Sequence, residues 1–179
     1  MLEQLSKKRF QRKYLPEFVY GSIDGTVTTF AIVAGAVGAS LSSSIILILG
    51  FANLFADGFS MAVSSYLSEK SHDEVHPRHK KTDNKEPLKS GLATFFSFLI
   101  VGFIPLSFFV LALFFPSLKT NAFVYSLILT AIAFFIIGTL KGIVVQKKIF
   151  RSGFETLFHG GIAAVIAFIV GYLLRGLVG

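Results

Sequence analysis

Long apolar runs separated by short polar segments dominate this chain. Five of them cover residues 18–40, 45–67, 91–115, 122–140 and 156–174. At a rise of about 1.5 Å per residue, each run is long enough to cross a hydrocarbon core of roughly 30 Å as a helix. The apolar positions are continuous rather than alternating, which favours helices over the strands of a barrel. The pattern predicts an all-α integral membrane protein: one membrane domain over residues 1–179, with five transmembrane helices and a polar loop at 68–90.

Composition narrows the function classes. Apolar residues make up 53% of the 179 residues and charged residues 15%, and the mean hydropathy is +0.70. This balance excludes a soluble enzyme, a nucleic-acid-binding module and a disordered chain. The chain has no Cys, so a metal ligand has to be an oxygen, an imidazole nitrogen or a thioether sulfur.

The basic residues predict the orientation in the membrane. All Lys and Arg residues except Lys119 and Arg175 lie in the N-terminal arm, in loop 68–90, or at residues 141–151, between the fourth and fifth apolar runs. One topology puts all three segments on the same side of the bilayer. By the positive-inside bias, the N-terminus is expected in the cytoplasm and the C-terminus outside.

Two carboxylates lie inside the predicted spans, at Asp24 in the first and Asp57 in the second. An ionised Asp at the bilayer centre costs about 2.5–3.5 kcal/mol, so such residues usually face a cavity or a partner. Along the second span Asn53, Asp57 and Met61 recur every four residues, which places them on one helix face. If the two helices are antiparallel neighbours, Asp24 and Met61 share a level, with Asp57 about one turn deeper.

This set of groups has a functional and a structural interpretation. A carboxylate, a thioether and a second carboxylate suit a borderline cation such as Fe²⁺ or Mn²⁺ better than Mg²⁺ or Ca²⁺. The alternatives are a protonated Asp that hydrogen-bonds two helices and a Met that only fills space. The Gly21-x-x-x-Gly25 spacing also has two interpretations. It allows another helix to pack closely, and that helix belongs either to the same chain or to the second copy in a dimer.

Two further groups are candidates nearer the predicted cytoplasmic side. The first is a metal entrance formed by the residues Glu69, His72, Asp73 and His76, although the many basic residues of the same loop favour a solvated charged surface over a metal site. His72 and His76 stand at i, i+4, so both reach one ion only if the helix continues there. The second is Glu155 with His159, as part of a proton path or as interfacial residues.

Several stretches resemble one known family, the vacuolar iron transporters. They are residues 20–30 (Tyr-Gly-Ser-Ile-Asp-Gly-Thr-Val-Thr-Thr-Phe), 33–39, 56–62 (Ala-Asp-Gly-Phe-Ser-Met-Ala), 66–68, 102–106, 140–142, 160–164 and 171–172. The resemblance implies a five-helix homodimer that moves Fe²⁺, and often Mn²⁺, out of the cytosol in exchange for protons. It also implies a pathway between the protomers that is lined by the first helix. The family's pathway Asp and Met fall on Asp24 and Met61.

The chain departs from that family at two places. Many members have Gly-Glu-Tyr after the pathway Met, where this chain has Ser64, Ser65 and Tyr66. A pathway carboxylate is therefore missing at Ser65, and Asp57 or Glu69 is the candidate replacement. Many relatives also insert a long Glu-rich helical metal-binding domain between the second and third helices, for which loop 68–90 is too short.

The sequence therefore predicts a transporter that exports divalent iron or manganese from the cytoplasm, not an enzyme. The ion is cargo, and no permanently bound cofactor is expected. The expected partners are the lipid bilayer, metal ions, protons and a second copy of the chain, without nucleic acid. The expected location is a bacterial inner (plasma) membrane, or a vacuolar membrane in a eukaryote. The alternative is a non-transporting metal sensor or scaffold; an aspartyl hydrolase is disfavoured by the residues flanking Asp24 and Asp57.

Overall fold

The fold is all-helical, as predicted. The computed structural model describes the backbone of residues 2–75 and 85–177 and the side chains of residues 13–75 and 85–177. The described residues form six helices: α1 (Leu2–Gly38), α2 (Ser43–Val75), α3 (Pro87–Gly102), α4 (Ser107–Phe114), α5 (Ala122–Val144) and α6 (Ile149–Leu174). Three 3₁₀ turns follow α3, α4 and α6, at Ile104–Leu106, Pro116–Asn121 and Arg175–Leu177. The described residues contain no strand.

Five helical segments of the described chain are long and apolar enough to cross a membrane. They are Lys13–Gly38, Ser43–Val75, Pro87–Phe114, Pro116–Val144 and Ile149–Leu177. The third span joins α3 and α4 across a 3₁₀ turn that contains Pro105, which has no N–H for a helical hydrogen bond. The carbonyl of Pro105 accepts a hydrogen bond from the Ser126 hydroxyl of α5 at 2.5 Å. The break in the span is thus tied to the neighbouring helix.

The first two helices are longer than their apolar runs. α1 begins well before residue 18 and contains Pro16, and α2 continues from the predicted end at residue 67 to Val75. No Pro or Gly lies between residues 67 and 75, so nothing in that polar stretch breaks the helix. Part of the predicted loop 68–90 is therefore helix. The apolar run marks only the part of a helix that is long enough to cross the hydrocarbon core, and a helix can continue beyond it as a polar segment.

The helix α1 lies at the centre of the bundle and packs against α2, α3, α5 and α6. Its buried side chains Phe30 and Val33 meet Phe98 of α3, Leu106 and Phe134 of α5 in one apolar core. Most large apolar side chains on the outer faces of the other helices are exposed. This is the distribution expected of a protein whose outer surface is solvated by lipid.

The small residues of α1 mediate contacts within one chain. A Cβ placed on Gly25 would lie 2.6 Å from the carbonyl oxygen of Phe98, and one on Gly21 would overlap Ser97. Further along α1, Gly38 faces Phe168 of α6 in the same way. Gly21 and Gly25 therefore allow α3 to pack closely onto α1, and Gly38 does the same for α6. The structure favours packing inside the chain over the dimer-seam interpretation of the Gly21 and Gly25 pair.

Two glycines of α6 give a matched test of this packing. A Cβ on Gly171 would overlap the carbonyl oxygen of Gly35, whereas a Cβ on Gly161 would meet nothing within 4 Å. We expect Gly171→Ala to destabilise the fold by about 1–3 kcal/mol through overpacking. Gly161→Ala should be neutral or stabilise the helix by up to about 1 kcal/mol. Thermal unfolding in detergent measures both, and equal midpoints for the two variants would contradict the close α1–α6 contact.

Candidate functional site

A polar cleft of about 680 Å³ opens between α1, α2 and α3. The residues that line it are Pro16, Glu17, Tyr20, Asp24, Asp57, Ser60, Met61, Ser64, Ser65, Ser68, Glu69 and Thr94. Four of these carry carboxylates and one carries a thioether, and none of the lining residues in the described chain is basic. The cleft therefore offers hard oxygen ligands and one soft sulfur ligand for a cation.

The inner part of the cleft contains the two intramembrane carboxylates and the methionine. Asp24 of α1 and Asp57 and Met61 of α2 all line it, and each side chain is half-buried. The two carboxylates line the same cavity, where like charges repel each other. Such a pair is stabilised when a proton or a cation lies between its members. The antiparallel register of α1 and α2 thus brings together the residues that the sequence placed at similar depths.

Asn53 lies on the same helix but does not line the cleft. Its side-chain amide is within 3.4 Å of the Thr28 hydroxyl and 3.5 Å of the Thr29 hydroxyl on α1. The Thr28 hydroxyl in turn donates to the backbone carbonyl of Asp24. Asn53 therefore contacts the segment of α1 that carries Asp24 rather than the cleft itself.

The outer end of the cleft, which we call the mouth, is formed by Glu17 of α1 and Glu69 of α2. Glu69 was predicted as an entrance residue, whereas sequence reasoning missed Glu17. The Glu17 side chain is only 10% exposed, and it lies seven residues before Asp24. Two helical turns place both side chains on one face of α1. That spacing was the signal that could have identified Glu17.

Hydroxyl groups surround Ser65, the position where many relatives carry a carboxylate. The Thr94 hydroxyl donates to Ser65 Oγ at 3.2 Å, and Ser65 Oγ lies 3.4 Å from Ser90 Oγ. The Ser90 hydroxyl donates to Glu17 Oε1 at 3.0 Å. A chain of hydroxyls thus links Ser65 to Glu17, so the carboxylate nearest to this position along the hydrogen bonds is that of Glu17.

The predicted histidine entrance is separate from the cleft. His72 and Asp73 lie near the end of α2 and do not line the cleft, and His76 lies outside the described residues. Within residues 2–75 and 85–177, no three His, Asp or Glu side chains are clustered closely enough to hold a metal ion. The described part of this segment therefore holds no cluster of three such side chains that could bind a metal ion.

Glu155 and His159 are likewise remote from the cleft. Both line a separate groove of about 470 Å³ at the start of α6. The Glu155 carboxylate accepts a hydrogen bond from Arg151 at 3.2 Å, and His159 Nδ1 lies 2.6 Å from the backbone oxygen of Glu155. These contacts are local to one helix, so the structure does not connect the pair to Asp24 or Met61.

Comparison with known proteins places this geometry in a family. The family model described as the VIT family matches residues 15–86 and 72–172, which is most of the chain. The chain belongs to the VIT family. Its similar relatives include the "Vacuolar iron transporter" of Plasmodium berghei, 27% identical over 92% of this chain and 83% of the relative. The protein of the same name from Toxoplasma gondii is 29% identical over 93% of this chain and 76% of the relative. "Vacuolar iron transporter 1" of Arabidopsis thaliana is 27% identical over 94% of this chain and 89% of the relative.

The match to the VIT family is split at one place. Its two segments overlap at residues 72–86, which include the last residues of α2 and the residues between α2 and α3. The alignment with the P. berghei protein spans 227 residues, more than the 179 of this chain, so that relative carries residues with no counterpart here. Both observations agree with a chain that is short in the loop between its second and third spans.

Proposed function

We propose that this VIT-family protein carries Fe²⁺, Mn²⁺ or both ions across a membrane, out of the cytoplasm and in exchange for protons. The observation that supports this most is the cleft itself. Four carboxylates and a thioether line a single cavity within helices long enough to cross a bilayer. Ionisable groups at that depth are costly and are typical of ion pathways. The names of the relatives, vacuolar iron transporter, agree with this cargo.

In the proposed pathway, Asp24 and Met61 coordinate the partly dehydrated ion. Asp57 is the next ligand or the proton carrier, and Asn53 orients the adjacent segment of α1. A carboxylate binds either a proton or a metal ion but not both. Loading the ion from one side therefore releases a proton, and protonation from the other side releases the ion, which is the chemistry that exchange requires.

We further propose that the working unit is a homodimer with the N-terminus in the cytoplasm. Ser60, Ser64 and Ser68 on the α2 side of the cleft are exposed, and Asp57 is half-exposed. Polar groups of this kind are unfavourable against lipid hydrocarbon. A second copy that covers this face would close the cleft into a pathway between two α1 helices. The mouth then faces the cytoplasm, as the basic residues predict.

In this arrangement Glu17 and Glu69 attract the ion before it reaches Asp24. The host membrane is proposed to be a bacterial inner membrane or, in a eukaryotic cell, a vacuolar one. A membrane-bound metal sensor with the same cleft is the competing proposal, and transport activity separates the two.

The test is uptake of Fe²⁺ and of Mn²⁺ into liposomes that contain the purified protein, followed with a metal-sensitive dye inside the vesicles. We expect uptake to increase when the vesicle interior is acidic, because protons leaving the vesicle drive the ion inward. Protein-free vesicles with the same gradient are the control. Folded, dimeric protein that transports neither ion would support the sensor instead. Uptake that does not depend on the proton gradient would contradict the exchange of metal ions for protons.

A further inference from the structure

A lysine occupies the mouth of the cleft. The Lys85 ammonium nitrogen lies 2.5 Å from Glu17 Oε1 and 3.8 Å from Glu69 Oε1. The side chains of Lys85 and Glu69 are each 25% exposed, and that of Glu17 is 10% exposed. The positive charge thus lies between the two carboxylates that form the mouth, in a largely desolvated position.

The Glu17 carboxylate is only partly satisfied by this arrangement. Its Oε1 atom accepts hydrogen bonds from Lys85 and from the Ser90 hydroxyl. Its Oε2 atom is buried and has no hydrogen-bond partner among the described residues. A buried carboxylate oxygen without a partner is unfavourable. Within the described residues, the lysine and the serine therefore satisfy only one of the two oxygens of the Glu17 carboxylate.

The backbone around Lys85 is held in place, so its ammonium group is tethered to the mouth. The backbone N–H of Glu86 donates to the Tyr14 hydroxyl of α1 at 3.0 Å. Pro87 then begins α3 as its first residue, a position that suits the fixed φ of proline. The lysine side chain retains its own rotatable bonds, so the ammonium can leave the carboxylates while its Cα stays near them.

We propose that the Lys85 ammonium is a resident counter-ion at the mouth, and that a divalent ion entering the cleft has to displace it. The inference deepens the proposed transport function and rests on it. The lysine neutralises Glu17 and Glu69 when no metal is present. Because one lone pair cannot serve both the ammonium and a metal ion, the two compete for the same oxygens. Lys85 thereby lowers the affinity of the mouth and sets the metal concentration at which the cleft fills.

Lys89 provides a matched control on the same segment. It pairs with Glu86 at 2.6 Å, but the two side chains are 45% and 64% exposed and neither lines the cleft. Removing this charge changes the total charge by the same amount as removing Lys85. Its effect on an ion in the mouth should be small because solvent screens exposed charges.

The absence of Cys from the sequence allows a direct test. Lys85→Cys provides a single thiol, which a methanethiosulfonate reagent converts to a mixed disulfide with release of sulfinate. An aminoethyl reagent restores a positive charge close to that of lysine, and a methyl reagent leaves the side chain neutral. Mn²⁺ binding to the purified full-length protein is then measured by the loss of the free-ion EPR signal, and Mn²⁺ uptake is measured in liposomes.

We expect the neutral adduct to bind Mn²⁺ about five- to tenfold more tightly than the aminoethyl adduct, with wild type close to the latter. The same two adducts at Lys89→Cys should differ by less than about twofold. In a Glu17→Gln background the difference at position 85 should shrink, because the shared carboxylate is gone. If the cysteine variant does not fold, Lys85→Gln and Lys85→Arg make the same comparison of neutral and charged side chains.

Equal Mn²⁺ affinities for the two adducts at position 85 would overturn the proposal, as would tighter binding by the charged one. Normal uptake by wild type together with that result would remove the role of Lys85 and leave the transport function intact. Conversely, a charge-dependent affinity in a wild-type protein without uptake would keep Lys85 as a competitor for the mouth and remove the transport function.

Discussion

Asp24→Asn is expected to reduce Fe²⁺ and Mn²⁺ uptake to the level of protein-free vesicles while the protein stays folded. The side chain is half-buried in the cleft, in the same cavity as Asp57 and Met61. Asn has nearly the same volume as Asp, so packing of α1 should be unchanged. It has no negative charge to offset the dehydration of a divalent ion, and it cannot exchange a proton for that ion.

Asp73→Asn is the matched control for this variant. Asp73 belongs to α2 but lies outside the cleft, so the same chemical change there should leave uptake nearly unchanged. Size-exclusion chromatography and thermal unfolding check the fold and the oligomeric state of both variants. Substantial uptake by Asp24→Asn would remove this carboxylate from the mechanism, whereas an equal loss in both variants would indicate a general effect of charge.

Met61→Leu is expected to raise the Fe²⁺ concentration for half-maximal uptake by on the order of tenfold, because the sulfur ligand is lost at nearly constant volume. Met61 both lines the cleft and packs against the apolar core, so ligation and packing both have to be tested. Met61→Ala removes the sulfur and also leaves a cavity. The thioether interpretation predicts that Leu and Ala lose Fe²⁺ affinity to a similar degree.

The comparison of ions sharpens this test. A thioether discriminates in favour of softer divalent ions, so the loss should be larger for Fe²⁺ than for Mn²⁺, which prefers oxygen ligands. Uptake kinetics of the two ions by wild type and by both Met61 variants provide the measurement. A Leu variant with unchanged affinity, next to an Ala variant that unfolds at lower temperature, would show that Met61 only fills space.

The sequence predicted the number of spans and the convergence of Asp24 and Met61 for definite physical reasons. A segment that crosses a membrane has to be apolar, so the apolar runs of the sequence count the spans. The depth of a residue in a span follows from its distance along the helix from the end of that span, which is how Asp24 and Met61 could be placed at one level. The sequence analysis underestimated the length of α2, because the polar residues of its last turns do not extend the apolar run from which the helix was predicted. The helical continuation to Val75 depends instead on the absence of Pro and Gly in that stretch.

The composition of the mouth was not predictable in the same way. Lys85 reaches Glu17 across 68 positions of sequence, through a loop whose path no local pattern encodes. The pairing depends on the contact between the start of α3 and Tyr14, which is a tertiary interaction. Similarly, the spacing of Gly21 and Gly25 shows that a helix approaches closely but not which helix it is. The structure identifies that helix as α3 of the same chain.

Locating a bound ion is the most direct test of the central claim that this cleft is the metal pathway. Crystals of the full chain grown with Mn²⁺ or Fe²⁺, measured at the absorption edge of the metal, report its position through anomalous scattering. We predict a peak within bonding distance of the Asp24 carboxylate, with Met61 beside it for Fe²⁺. A peak only at His72 and Asp73, or at the groove beside Glu155 and His159, would contradict the assignment of the cleft.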